Sequence, residues 1–318
     1  MALPVPDAGS RDPPGRDRPE LTARLLAGSG RHPGRDTDRL RARGRRDDLD
    51  PFGGHGRRGW RRGNGDRAAS SLGGRSMIAG GRTVYGLELG VLMLDTVFPR
   101  LVGDVGNAGT WPFPVRYRIV PGATARRVVQ QPDDALLDLF IDGARSLERD
   151  GVRMITTSCG FLALYQKEVA AAVSVPFLSS SLLQVPHASR LVGPDRKVGI
   201  LTMSRDDLTE AHYEGVGWSS TDHPVAVSSF APGAAFWETY LVGRETVDPQ
   251  ELETELLELG NDLLARSPDV GALVLECTNF APFAPVLRQE LGVPVFDLAT
   301  LVFQTHMAIS GADFEGLG

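Results

Sequence analysis

The 318-residue chain is long enough for one large or two modest domains, and a hydrophobic fraction of 42% is ordinary for a globular protein with a sizeable core. Its net charge of −6 hides a split: residues 1–76 carry 17 Arg against 10 acidic residues (+7), and the rest carries 17 basic against 30 acidic residues (−13). An acidic body argues against nucleic acid as a partner of the folded part, and no apolar run approaches the roughly 18 residues a membrane helix needs.

Residues 1–76 are rich in Arg, Gly, Pro and Asp and poor in apolar periodicity, as in "GRDTDRLRARGRRDDLDPFGGHGRRGWRRGNGDR". Such a stretch buries too little surface to offset its ordering entropy, so it is expected to be a disordered extension. The first residues lack the basic start and apolar stretch of a secretory leader. With only two cysteines, the expectation is a cytoplasmic protein with reduced thiols.

Globular patterning opens at Met77, and strand and helix then alternate. "VYGLELGVLML" reads as a strand ending at Asp95, and "DDALLDLFIDGARSLERDG" as a helix stopped by Gly151. "VRMITT" is a buried strand leading to Cys159, "LALYQKEVAAAV" the helix after it, and "VPFLSS" the next strand. "KVGILT" is a strand and "RDDLTEAHYEGVG" a helix. "VDPQELETELLELGNDLLARSP" is a long helix, with Asp248 as N-cap, Pro249 at the first position and Glu251 completing a capping-box pattern. "VGALVLE" leads to Cys277, "APVLRQELG" is helical, "VPVFDLAT" is a strand, and a short helix lies near "LVFQTHMA". This alternation predicts an α/β protein with mainly parallel sheet.

The two cysteine segments repeat one another. Each cysteine precedes a Val-Pro proline by 17 residues (Pro176, Pro294), and Ser179 and Asp297 each follow their cysteine by 20. His187 and His306 close the two segments. Two halves related by a pseudo-two-fold axis would place both cysteines outside the carboxyl ends of parallel strands, facing each other across one cleft. The expected domains are 77–186, completed by 297–318, and 187–296.

A strand end followed by a helix exposes N–H groups that favour a thiolate. Thr157 and Ser158 flank Cys159, and Thr278 and Asn279 follow Cys277. These groups, with the N–H groups of Gly160 and Asn279, suit a carboxylate and its enolate-like charge. Two thiols on opposite faces of a carbon acid suit inversion: one removes the α-proton and the other returns a proton. Other chemistries fit less well. Lys167 and Lys197 read as solvated rather than as Schiff-base lysines, and the six histidines are scattered, so neither a cofactor nor a metal is expected. His187 and His306 read as packing groups, and only a thiol hydrolase would recruit one of them.

"TTSCG" and "LECTN", paired at matching strand ends, resemble the two motifs of the aspartate/glutamate racemase superfamily, which includes hydantoin racemases. The resemblance covers roughly residues 84–310. It implies two Rossmann-like parallel-sheet domains in pseudo-symmetry and cofactor-independent two-base racemisation of a small carboxylate, with room for a homo-oligomer. Carried over, Cys159 and Cys277 are the catalytic bases, and Thr157, Ser158, Gly160, Thr278 and Asn279 line the carboxylate site. Asp95 and Thr96 stand where relatives place a polar pair. The chain departs from glutamate racemases in Gly160-Phe161 and in Thr278-Asn279, with no His at position 279, which puts glutamate as substrate in doubt. The alternatives are a thiol-dependent isomerase or decarboxylase of the same fold, such as a maleate isomerase or arylmalonate decarboxylase, and, further off, a non-catalytic binding protein.

Overall fold

The computed structural model describes residues 80–311; the predicted extension over 1–76 lies outside them. Two four-stranded parallel sheets follow one another along the chain. The first contains β1 (Leu89–Leu94), β2 (Val115–Val120), β3 (Met154–Thr157) and β4 (Phe177–Leu178), in the order β2-β1-β3-β4. The second contains β5 (Lys197–Thr202), β6 (Val225–Ser229), β7 (Val270–Leu275) and β8 (Val295–Phe296), in the order β6-β5-β7-β8. The α/β class and the doubled topology agree with the sequence reading.

The register makes the internal repeat physical. Ile155 of β3 pairs with Gly90 and with Phe177, and Leu273 of β7 pairs with Gly199 and with Val295. Ile155 and Leu273 each lie four residues before a cysteine, so both thiols occupy the same position beyond a third strand. β1 and β7 are buried along their whole length, which is why "LGVLML" and "VGALVL" read as unbroken apolar runs. Edge strand β2 instead alternates partly buried and exposed positions in "VRYRIV". Neither β2 nor edge strand β6 stands out as an apolar run in the sequence.

The helix Asp134–Asp150 packs on β1 and β2. Asp133 caps its start through the Leu136 N–H, and Gly151 ends it at φ 95°, a left-handed conformation that suits glycine. Its counterpart Pro249–Arg266 packs on β5 and β6. Asp248 caps that helix through the Gln250 N–H, without the reciprocal Glu251 bond that the capping-box pattern predicts. The expected helix after Cys159 is split into a 3-10 turn, Gly160–Tyr165, and a short α-helix, Gln166–Ala172. The expected strands "VPFLSS" and "VPVFDLAT" shorten to two residues each, because Ser180 already caps a 3-10 turn, Ser181–Gln184, and Asp297 caps the last helix, Leu298–Ser310.

That last helix crosses back to the first sheet. Leu298 and Val302 are buried among Leu89, Val91, Met93, Trp111 and Met154. Arg153, just before β3, fastens the helix end by donating to the Ile309 carbonyl at 2.8 Å. Among the described residues no helix is long and apolar enough to cross a membrane. Truncating Leu298 to alanine removes a side chain that is 1% exposed and leaves a cavity between helix and sheet. Leu298→Ala is expected to lower unfolding stability by about 2–5 kcal/mol in a denaturant titration; a loss below about 0.5 kcal/mol would show that the helix does not carry this core.

Candidate active site

Cys159 and Cys277 line one small cleft. It is narrow, with a cavity volume of about 30 Å³, well below the roughly 300–1,000 Å³ usual for ligand sites. Each thiol follows the third strand of its sheet and precedes a 3-10 turn, Gly160–Tyr165 for one and Thr278–Phe283 for the other. Ser158, Gly160, Thr278 and Asn279 join them in the cleft lining, and Thr157 does not. Phe161, Phe98, Leu94, Met203 and Tyr240 supply apolar wall, and the lining holds no Lys or Arg. Asp95 and Thr96 are not in the lining: Asp95 is exposed and Thr96 accepts a hydrogen bond from Arg100 at 3.1 Å. Leu94 and Phe98, on either side of them, face the cleft instead.

Most of the flanking hydroxyls are already engaged within the protein. Thr157 donates to the Ser179 carbonyl at 2.7 Å, and Thr278 donates to the Ser158 carbonyl at 2.9 Å, tying one cysteine turn to the other. Ser158 differs. Its Oγ accepts from the Leu94 N–H at 2.8 Å, which leaves its hydroxyl hydrogen available to a ligand.

Cys277 is held by a chain of polar groups that the sequence did not announce. Its thiol donates to Asn279 Oδ1 at 3.5 Å, and Asn279 Nδ2 donates to Asp104 Oδ2 at 2.6 Å. Asp104, only 1% exposed, is paired in turn with Arg100 at 2.7 Å, whose guanidinium lies 4.7 Å over the Phe98 ring. A carboxylate only accepts hydrogen bonds, so Asp104 fixes the Asn279 amide with its oxygen toward the sulfur. An oxygen facing the sulfur favours Cys277 as a thiol. Cys159 has no such acceptor; the N–H groups of Phe161 and Leu162 and the Arg100 guanidinium act in favour of its thiolate.

Glu276 is the other missed group. It is fully buried beside Cys277; Oε2 accepts from Thr202 at 2.8 Å, and Oε1 has no partner. A side chain at Gly160 would overlap this carboxyl group, so the glycine beside one cysteine makes room for the acid beside the other. The signal was in the repeat: Glu276 stands where its counterpart half has Ser158, and Thr278 where it has Gly160. Tyr240 also escaped the sequence reading. It sits on a π-helical turn, Glu238–Val242, and packs edge-on against Phe98 at 4.8 Å.

The expected lowering of the thiols is overturned. Burial, and then the Glu276 charge, push Cys159 up to about 12; the N–H groups of a single 3-10 turn offset only part of this. Burial, Glu276, Cys159 and Asp104 drive Cys277 well above the usual thiol range, against the Asn279 N–H. Burial also lifts Glu276 from 4.5 to about 8, opposed by the Thr202 hydroxyl and the Met203 N–H. His187 and His306 stay apart from this chemistry, whereas buried His212 packs edge-on against the cleft residue Phe161 at 5.3 Å. His306 stacks on Phe113 at 4.2 Å and lies 3.3 Å from Glu88, and His187 meets Phe296 edge-on. No metal-binding cluster of His, Cys, Asp or Glu occurs among the described residues.

A carboxyl raised by burial favours the folded state only while protonated. The unfolded chain ionises near 4.5 and the folded chain near 8, so Glu276 erodes stability as pH rises between the two and its full penalty stands above about 8. Glu276→Gln is neutral throughout. It is expected to melt several degrees above the wild type at pH 8.5, a difference of a few kcal/mol, and close to it at pH 5. Equal melting differences at both pH values would contradict a buried, raised carboxyl group.

A family model described as Asp/Glu/Hydantoin racemase matches residues 119–305. Among curated proteins, a dimethylsulfoniopropionate lyase of Durusdinium sp. clade D is 30% identical over 71% of this chain and 73% of its own length. Dimethylsulfoniopropionate lyase 3 of Emiliania huxleyi is 30% identical over 67% of this chain, which spans 57% of that protein. Among solved structures, unliganded arylmalonate decarboxylase aligns with TM-score 0.48 and 17% identity, over 71% of this chain and 93% of that one. Aspartate racemase of Picrophilus torridus aligns with TM-score 0.44 and 16% identity, over 69% and 94%. The repeat, its two strand-end cysteines and the match over residues 119–305 place this chain in the Asp/Glu/hydantoin racemase family.

Proposed function

We propose that this enzyme is a lyase that removes the α-proton of a small carboxylate bearing a β-onium leaving group, of the kind its dimethylsulfoniopropionate lyase relatives are named for. The observation that carries the reading is the unlike setting of the two thiols. Cys277 is held as a hydrogen donor by Asn279, Asp104 and Arg100, whereas Cys159 faces backbone N–H groups and remains partly exposed. A pair that exchanges roles in racemisation calls for two like thiols; an elimination calls for one base.

The steps follow from that asymmetry. The Cys159 thiolate takes a proton from the α-carbon. The electrons of the broken C–H bond form a double bond between the α- and β-carbons, and the β-carbon–sulfur bond breaks with its pair leaving on sulfur. The products are a neutral dialkyl sulfide and an α,β-unsaturated carboxylate, and the proton on Cys159 returns to solvent. Negative charge grows on the substrate carboxylate as the α-proton departs. The cleft meets it with the Ser158 hydroxyl and nearby N–H groups rather than with a side-chain cation. No bound cofactor takes part in this scheme. Racemisation is the second reading, favoured by the equivalent placing of both cysteines; it shares the first step and then needs Cys277 to return a proton from the opposite face.

Headspace measurement of dimethyl sulfide from dimethylsulfoniopropionate tests the proposal. Wild type is expected to release it, Cys159→Ser to lose about 10²–10⁴-fold, and Cys277→Ser to lose less. Because burial raises Cys159, kcat/KM is expected to increase with pH between 7 and 9 as the thiolate fraction grows. Unimpaired release by Cys159→Ser, or none by the wild type, would refute the lyase assignment.

A further inference from the structure

Glu276 has no task in the steps above, yet it is the one carboxyl group that lines the cleft. It is fully buried with one oxygen bound to Thr202 and the other without a partner. An unpaired buried carboxyl is costly unless something completes it. The cleft offers no cation of its own: Arg100 lies outside the lining and is paired with Asp104. Two aromatic residues with no cation assigned to them, Phe161 and Tyr240, complete the wall.

We infer that Glu276, with the rings of Phe161 and Tyr240, forms a subsite for the positively charged head of the substrate and selects a methylated onium over an ammonium. This rests on the lyase reading and assigns the residues that recognise its leaving group. The chemistry of the acceptors makes the choice. A primary ammonium carries three N–H donors and needs three acceptors once it leaves water. Of the carboxyl and amide oxygens in the lining, only Glu276 Oε1 lacks a partner, because Oε2 serves Thr202 and Asn279 Oδ1 serves the Cys277 thiol; with the Tyr240 hydroxyl this is still fewer than three free side-chain acceptors. An ammonium would strand N–H groups against Phe161 and Met203. A sulfonium or quaternary ammonium has no N–H. It needs a nearby negative charge and apolar or aromatic contact for its methyl groups, and the cleft has both.

The placement also serves the reaction. Glu276 Oε1 abuts Gly160, so an onium held there lies one residue from Cys159. The same positive charge offsets the carboxylate charge that raises Cys159, so bound substrate favours the thiolate that the free enzyme resists.

Two unreactive ligands of one shape separate charge from fit: 3-(trimethylammonio)propionate and its neutral isostere 4,4-dimethylpentanoate, with 3-aminopropanoate as the ammonium. Calorimetry at pH 8.5 on the wild type is expected to show the onium binding roughly tenfold or more tighter than the isostere, and the ammonium weaker than the onium. In Glu276→Gln the onium-to-isostere ratio is expected to fall to about one. A second measurement needs no variant. Onium binding near pH 7.5, compared in two buffers of different ionisation enthalpy, is expected to release a fraction of a proton as Glu276 ionises, and isostere binding is not. Equal wild-type affinity for onium and isostere, or an undiminished preference in Glu276→Gln, would overturn the subsite. Binding is read without turnover, so a protein that prefers the onium but yields no dimethyl sulfide refutes the lyase reading alone. One that yields dimethyl sulfide with no charge preference refutes the subsite alone.

Discussion

The site depends on one fit between the two halves of the chain: a carboxyl group at the end of β7, Glu276, occupying the space left by the absent side chain of Gly160 beyond β3. Everything unusual in the cleft follows from it. The acid is buried because the opposing turn closes over it, and it is raised because it is buried. Both thiols are raised first by their own burial and then by the charge of that acid. A free enzyme whose base is so hard to ionise has little idle reactivity, and a cationic substrate supplies the charge that relieves it.

Against this common background the halves have diverged. The fold presents two equivalent strand ends, each with a cysteine, as the matching registers of Ile155 and Leu273 show. On one side the residues around the cysteine are small or apolar, with Ser158, Gly160 and Phe161. On the other they are acid and amide, Glu276 and Asn279, and the loop after β1 adds Asp104 and Arg100. Equivalent backbones with unlike neighbours convert a symmetric pair of thiols into one group suited to accept a proton and one suited to donate a hydrogen bond.

The periodic parts of this account were legible in the sequence. Buried strands β1, β3, β5 and β7, the two long helices and the equivalence of Cys159 and Cys277 all rest on apolar runs, caps and spacing. Edge strands β2 and β6 escaped because half-exposed strands lack an unbroken run. Arg100, Asp104 and Tyr240 escaped for another reason: a loop brings the first two behind Asn279 and a π-turn brings Tyr240 to the cleft, and no local pattern encodes that approach. Glu276 was within reach only through the repeat, which it breaks where Ser158 stands. The dipole argument for low thiol pKa failed on magnitude, since a single 3-10 turn offers few N–H groups against the desolvation of a largely buried thiol.

The central claim, elimination rather than inversion, is open to one direct measurement. Proton NMR in D2O on a single sample can hold the wild type with dimethylsulfoniopropionate and a panel of L-amino acids. Elimination predicts that acrylate and dimethyl sulfide appear in equal amounts while the amino acids keep their α-protons. Deuterium entering the amino-acid α-positions, with the sulfonium left intact, would contradict it.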